Sequence, residues 1–280
     1  MSRQTDEARV VEAQINYLGD MRVRPKFHAQ DHRRDNLTFD PHVMPISDAR
    51  TWSQPPTLDL EGVALVRHRT AVTDFRDAEE VSRIYAQEIK RLILETTGAS
   101  DVVVVGGGGN VRYTERSAHY GTGMNTRPAR FPHVDFTPNT APGLVDNVFG
   151  TRAVSLAPGQ RLEGYNIWRV FSPPPQDVPL AVCDSRSVAP ADLVPGDGVY
   201  DQGEDPASWP ELEAYLVRHS PRHRWLYFRD MQPDEALLFR SYDNGPQWRA
   251  GVAHSAFNDP GCPPGVPARM SIEARAIAVF

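Results

Sequence analysis

Proline and glycine interrupt this chain almost everywhere. Its 280 residues hold 25 Pro and 20 Gly. Both residues break helices, so short elements joined by turns are expected. One stretch escapes. Over Asp74–Thr97 the apolar residues Val81, Ile84, Tyr85, Ile89, Leu92 and Ile93 recur at helical spacing, and Gly98 supplies a stop. Val102–Val105 reads as a buried strand, followed by four glycines, Gly106–Gly109, that read as a flexible loop. Beyond them come the strand-sized runs Arg161–Phe171, Pro179–Asp184, Arg224–Arg229, Ala236–Tyr242, Gly251–Phe257 and Arg269–Phe280. Glu211–Arg218 reads as a short helix, and the segment from Thr57 to Val66 as a turn into a strand.

Upstream, residues 1–8 are polar and frayed, Val10–Leu18 is a helix or strand, and 20–57 look irregular. A helix followed by many strands predicts a mainly β fold with supporting helices, an antiparallel barrel or jelly roll. No long linker divides the chain. The expectation is one domain over 1–280, with 1–60 an irregular N-terminal extension and 61–280 the buttressed barrel.

Charge narrows the function. The formal net charge is −6, and the arginines are scattered. Binding a phosphate backbone needs clustered Lys and Arg, so no nucleic-acid partner is expected. No apolar run approaches a membrane span, and Met1–Glu7 has no apolar signal core, so a cytoplasmic protein without a membrane partner is expected. Two cysteines, Cys183 and Cys262, make neither a disulfide framework nor a four-cysteine zinc site.

Of the nine histidines, only His133 has an acid two positions on, in Phe131-Pro-His-Val-Asp-Phe. On a strand, residues i and i+2 face the same way, so His133 and Asp135 can meet at one point. His-x-Asp alone is weak, because a surface turn with a solvated acid fits it too. His254, in Gly251-Val-Ala-His-Ser-Ala-Phe, is the best third ligand. Two histidines and a carboxylate cap one face of an octahedral metal and leave positions open for a chelating cosubstrate and O₂.

Further on, Arg269, Ser271, Glu273 and Arg275 share one face of the last strand, and Ile272, Ala274, Ala276 and Ala278 the other. An arginine fork and a hydroxyl aimed into a barrel suit the distal carboxylate of a dicarboxylic acid. Equally, that face can point to solvent while the apolar face packs.

The order His-x-Asp, a distant His, then Arg-x-Ser resembles the iron(II)- and 2-oxoglutarate-dependent oxygenase superfamily. Several segments look like one branch of it: Tyr165-Asn-Ile-Trp-Arg, Pro179-Leu-Ala-Val-Cys-Asp-Ser-Arg-Ser-Val, Pro221-Arg-His-Arg-Trp-Leu-Tyr-Phe, Met231-Gln-Pro-Asp-Glu-Ala-Leu-Leu and Ser271-Ile-Glu-Ala-Arg. That branch holds fungal gibberellin-desaturase-like enzymes and the bacterial cephamycin C-7 hydroxylase (CmcJ-like) component. The likeness runs from about Val63 to the C-terminus. Two departures bear on the substrate: the glycine-rich Gly106–Tyr113 segment, and Val170 where a proline is commoner.

The resemblance implies a double-stranded β-helix (jelly roll, cupin-like) with Fe(II), 2-oxoglutarate as cosubstrate, and O₂. It implies hydroxylation or desaturation of an unactivated C–H bond of a small molecule in natural-product biosynthesis. Both reactions, and ring formation, begin with the same hydrogen abstraction. Carried over, His133, Asp135 and His254 match the iron ligands. Either Arg269 or Arg275, with Ser271, matches the cosubstrate clamp. Asn166 can reach the pocket as a further cofactor contact. An acid at position 135 argues against a halogenase. The resemblance implies room for a second polypeptide partner; a homodimer is a default expectation for a soluble chain.

Just upstream of the metal motif lie Arg112, Tyr113, His119, Tyr120, Asn125, Arg127 and Arg130. They suit a lid over a polar or anionic substrate, or simply a solvated loop. Arg112, Tyr113, Arg127, Arg169 and Tyr227 are the candidate substrate contacts.

Three rival readings share parts of this pattern. A dinucleotide turn fails on spacing, because the third glycine position holds Val111 or Arg112. A zinc hydrolase can use the same three ligands, but needs a general base and lacks a His-Glu-x-x-His helix. A non-catalytic jelly-roll binding protein would not need intact ligands and an Arg-x-Ser.

Overall fold

The computed structural model describes residues 9–122, 126–150, 156–157, 159–200, 205, 210–245 and 251–280. In chain order its strands are β1 (Val10–Leu18), β2 (Lys26–His28), β3 (Phe39–Asp48), β4 (Val63–Arg67) and β5 (Asp101–Tyr113). There follow β6 (His133–Val134), β7 (Leu162–Val170), β8 (Leu180–Cys183), β9 (Leu193–Val199) and β10 (Glu211–Val217). The last are β11 (Trp225–Tyr227), β12 (Glu235–Asp243), β13 (His254–Ala256) and β14 (Met270–Val279). They form two curled sheets, one ordered β1-β3-β11-β8-β13-β6-β10-β9-β2 and the other β4-β12-β7-β14-β5. This is the mainly β jelly roll expected.

Helical residues buttress the smaller sheet. α1 (Ala78–Glu80) runs through a wider π-helical turn (Val81–Tyr85) into α2 (Ala86–Thr97). Asp77 caps the start by accepting from the N–H groups of Glu79 and Glu80, and Gly98 ends the helix with a left-handed φ of 71°. Ile89, Leu92 and Ile93 pack on the outer side chains of that sheet, among them Ile167, Leu238, Ile272 and Ala276. Along β14 every second residue therefore faces α2. The alternate set, Ser271, Glu273, Arg275 and Ile277, faces the other way, into the barrel. Arg269 and Ser271 are 2% and 0% exposed, which excludes the solvent-facing alternative.

The four glycines are not a flexible loop. They lie within β5, where Val105 pairs Arg275 and Asn110 pairs Glu273. Five steps on β5 thus face two on β14, a wide bulge. All four take positive φ, +64°, +77°, +114° and +132°. A Cβ at Gly108 would meet Val81 at 3.1 Å, so the bulge also lets the π-helical turn lie close.

Two further expectations are corrected. Residues 20–57 hold β2 and the ten-residue β3, of which Phe39–Ser47 pairs with β1. What reads as irregular is therefore an integral hairpin. Its Ile15, Tyr17 and Ile46 pack in one cluster with Val134, Cys183 and Trp225 of the larger sheet. Polar and Pro-rich exposed positions hid β3, since an edge hairpin buries only one face. Glu211–Val217 is a strand, not a helix, because it is paired on both sides, by β9 and β6. The chain after the metal motif also forms α3 (Ala141–Gly150), whose Val145 and Phe149 pack on Val103, Leu162 and Ile277.

Candidate metal centre

His133 and His254 come from neighbouring strands of the larger sheet and are direct cross-strand partners. Their ring centroids are 4.2 Å apart. Asp135 follows two residues after His133 and turns its carboxylate to the same point. Nε2 of His133 lies 3.6 Å from Oδ1 of Asp135. One ligand atom from each of the three residues fits within 4.8 Å of the others.

Both rings are set by the backbone. Nδ1 of His133 lies 3.1 Å from the carbonyl of Phe131, and Nδ1 of His254 lies 3.1 Å from that of Val252. A carbonyl only accepts, so each Nδ1 carries the proton and each Nε2 keeps its lone pair free. Burial, and next the neighbouring His254, pushes His133 down to about 4, so its imidazole is neutral at neutral pH. Neutral imidazole and ionised carboxylate are the forms that bind metal.

Asp135 is held from behind. Its Oδ2 accepts from Nδ2 of Asn166 at 2.6 Å and from Nε of Arg275 at 3.0 Å. Asn166 also donates to Oε1 of Glu273 at 2.7 Å. Burial opposes ionisation of Asp135, but Arg275 and the two histidines outweigh it and hold the carboxyl far below its usual range. Two nitrogens and one carboxylate oxygen, oriented and with little exposure, suit a divalent transition metal such as Fe(II).

Two clefts meet at this point. The smaller, about 420 Å³, is lined by His133, His254, Trp168, Arg269 and Glu273. Arg269 donates through Nη1 to Oγ of Ser271 and lies over the Trp168 ring at 5.4 Å. Its Nε has no partner. Burial, then repulsion by Arg130, lowers it to about 9, which leaves it charged at neutral pH. A buried cation without a carboxylate partner is costly unless a ligand supplies one. The larger cleft, about 620 Å³, is bounded by His133, Asp135, Arg112, Arg127, Tyr200 and Phe27.

Sequence-derived candidates divide accordingly. His133, Asp135, His254, Asn166, Arg269, Ser271, Arg275, Arg112 and Arg127 all converge on the centre or its clefts. Three do not. Tyr113 follows Arg112 on β5, faces the opposite side and packs against His119 at 5.2 Å. Arg169 points to the helical layer, donating to His68 at 2.6 Å and lying over Tyr85 at 5.4 Å. Tyr227 sits in the outer core with its ring 5.4 Å from Phe257. Strand alternation decides all three, and a register unknown from the sequence hid it. Asn125 lies outside the described residues. Tyr200 and Phe27 carry no local signal: β2 and β9 bring them to the cleft only because the sheet curls.

Comparison with known proteins agrees with this geometry. A family model described as an oxidoreductase/YMDC permease-like domain matches residues 15–280. The alpha-ketoglutarate-dependent dioxygenase phiK of a fungal species is 31% identical over 234 residues, which covers 80% of this chain and 79% of that one. The hydroxylase/desaturase efuI of Hormonema carpetanum is 31% identical over 265 residues, covering 87% and 85%. A solved structure of the iron and alpha-ketoglutarate-dependent endoperoxidase NvfI superposes with a TM-score of 0.80 at 26% identity, covering 97% of this chain and 98% of that one.

The jelly roll and its buried His–Asp–His cluster define a protein of the Fe(II)/2-oxoglutarate-dependent dioxygenase superfamily. Within it, the chain belongs to the oxidoreductase/YMDC permease-like family. No helix among the described residues is long and apolar enough to cross a membrane.

Proposed function

We propose that this protein is a mononuclear non-heme Fe(II)- and 2-oxoglutarate-dependent oxygenase. It hydroxylates or desaturates an unactivated C–H bond of a small molecule in secondary metabolism. One observation carries the reading: two of three oriented metal ligands, His133 and His254, line a cleft with Arg269, a buried arginine that has no carboxylate partner among the described residues.

His133 and His254 would hold Fe(II) through Nε2, and Asp135 through Oδ1, because Oδ2 is taken by Asn166 and Arg275. Arg269 with Ser271 would bind the distal carboxylate of 2-oxoglutarate. Arg275, the other candidate clamp, is already committed to Asp135. When bound, Fe(II), 2-oxoglutarate and O₂ supply the oxidation that breaks the C–H bond, releasing succinate and CO₂. The protein's own part is to fix the ligands, seat the cosubstrate in the smaller cleft, and present the substrate from the larger one. Trp168 and Leu180 wall the cosubstrate cleft and limit water there.

A hydrolytic metal site fits less well. It needs a free general base, and Glu273 is tied to Asn166 and lies 3.4 Å from Nη2 of Arg112. The nearer likeness to gibberellin-desaturase-like enzymes and the cephamycin hydroxylase component rests on the segments quoted above. It belongs to this proposal, as does a single oxygenase domain spanning the chain.

The test is anaerobic binding of Fe(II) and 2-oxoglutarate, followed by calorimetry and by the visible absorption of the chelate. Wild type is expected to bind both. His133→Ala should lose the metal, and Arg269→Ala should keep the metal but bind 2-oxoglutarate weakly. Iron binding without 2-oxoglutarate would refute the cosubstrate; no iron binding would refute the whole reading.

A further inference from the structure

We infer that the substrate is a small carboxylic acid, its carboxylate held by Arg112 and Arg127 and its apolar body lying along Phe27, Phe131 and Leu212. The inference rests on the oxygenase reading for what happens to that acid, but its recognition follows from the cleft itself.

Four guanidinium groups, of Arg112, Arg127, Arg269 and Arg275, border the two clefts. Among the described residues only two carboxylates, of Asp135 and Glu273, stand against them. Fe(II) and dianionic 2-oxoglutarate would cancel each other, so the loaded site keeps an excess of positive charge. Buried charge of one sign is costly, and an anionic ligand is the direct way to offset it.

The excess is localised. Arg275 is bound to Asp135, and Arg269 faces the cosubstrate cleft. Arg127 remains at the larger cleft, and Arg112 stands where the two clefts meet. Arg112 is 9% exposed, and its Nη1 has no hydrogen-bond partner. Its one side-chain hydrogen bond among the described residues is a long one, Nη2 to Glu273 at 3.4 Å. Burial holds its pKa below the usual arginine range, the sign of a cation short of partners. Arg127 lies with its guanidinium 5.2 Å from the centre of the Tyr120 ring, which covers a face but satisfies no N–H, and its buried Nε has no partner. Each arginine thus has one buried nitrogen without a partner, and a carboxylate has two oxygens to offer them. A phosphate, with three terminal oxygens, asks for more than these two unpartnered nitrogens.

Apart from His32 and Tyr200, the rest of the wall is apolar, with Phe27, Ala129, Phe131, Val199, Leu212 and Ala214. Polar groups at one place on an otherwise apolar cleft fix orientation, and here the cleft also includes His133 and Asp135. An acid anchored by the arginines therefore lays its hydrocarbon part beside the metal ligands.

The experiment is isothermal titration under anaerobic conditions, on protein with Fe(II) and 2-oxoglutarate and again on metal-free protein. The probes are octanoate, 3-phenylpropionate and 5-phenylpentanoate, each against its neutral methyl ester, with phenyl phosphate alongside. Acids are expected to bind at least about tenfold tighter than their esters, since one side of a close charge pair is otherwise left unpaired. Arg112→Gln and Arg127→Gln should bring that ratio below about threefold, by loss of the same contacts. Arg112 is buried; Arg127, only half-buried, carries the test if the Arg112 variant does not fold. Equal binding of acids and esters, an undiminished ratio in the folded variants, or tighter binding of phenyl phosphate would each overturn the inference. If Fe(II) and 2-oxoglutarate bind but the acid preference is absent, this inference alone falls. If the preference is present without binding of either, the oxygenase reading falls instead.

Discussion

Nε of Arg275 donates to Oδ2 of Asp135 at 3.0 Å, while Oδ1 of the same carboxylate faces Nε2 of His133 at 3.6 Å. The two oxygens thus have different tasks. One is fixed by the protein, and the other is left for a metal. Oε1 of Glu273 lies 3.6 Å from Nη2 of Arg275 and adds a second carboxylate beside the guanidinium.

This division predicts that Arg275→Gln weakens Fe(II) binding about 10–100-fold, the usual cost of losing a partner that orients a metal ligand. Asn166→Ala should act in the same direction. Equilibrium titration with Fe(II) under nitrogen measures both. Unchanged affinity in a folded Arg275→Gln protein would mean that Asp135 needs no such support.

Arg269→Ala is expected to raise the Kd for 2-oxoglutarate by about two orders of magnitude, since truncating one side of a buried charge pair costs ~2–5 kcal/mol. Arg269→Lys should recover part of this, because a point charge replaces the fork but not its bidentate geometry. Metal affinity serves as the internal control and should stay near the wild-type value in both.

Acid should destabilise the metal-free protein. Folded His133 titrates at about 4, against an ordinary histidine value of 6.5. Below pH 6.5 the unfolded chain takes up a proton that the folded chain refuses, so stability is full above that pH and falls as pH drops toward 4. Asp135, with its lowered pKa, adds loss in the same direction at lower pH still. Urea denaturation of chelator-treated protein should show a loss of about 2–3 kcal/mol between pH 7 and 4.5. Stability that stays level, or rises, over that range would contradict the burial of a neutral His133.

The glycine bulge should be sensitive in a graded way. A Cβ at Gly109 would lie 2.6 Å from the carbonyl oxygen of Glu273, at a φ of +132°, whereas one at Gly106 meets nothing within 4 Å. Gly109→Ala should cost about 2–4 kcal/mol, combining a clash with a disallowed backbone. Gly106→Ala should cost only the left-handed penalty, about 1–2 kcal/mol. Thermal melts of the two variants compare them directly, and equal losses would refute the pairing of the bulge with β14.

Arg169→Leu separates structure from recognition. Arg169 is fully buried under α2, held by His68 and lying over Tyr85 and Phe75. Its loss should alter the melting temperature and leave 2-oxoglutarate affinity unchanged. A selective loss of cosubstrate or substrate binding at unchanged stability would return it to the site.

Much of the centre is written locally. His-x-Asp on an extended segment puts two ligands on one side whatever the fold, because strand side chains alternate. The same alternation puts Arg269, Ser271, Glu273 and Arg275 on one face of β14, and helical spacing with a capping Gly98 marks α2. The sequence by itself therefore determined which residue types can bind metal and anion together, and that the body is built from strands. Tertiary pairing decided the rest. Nothing local says that His254 lies opposite His133, or that Arg275 turns to Asp135 while Arg269 is left for a ligand. Nor does anything local say that Arg169 and Tyr227 face away from the clefts. Those facts depend on strand register and sheet curl, where a one-residue slip exchanges the two faces. Local pattern fixes only that faces alternate; the packing of α2 on one side of the small sheet selects which face becomes the site.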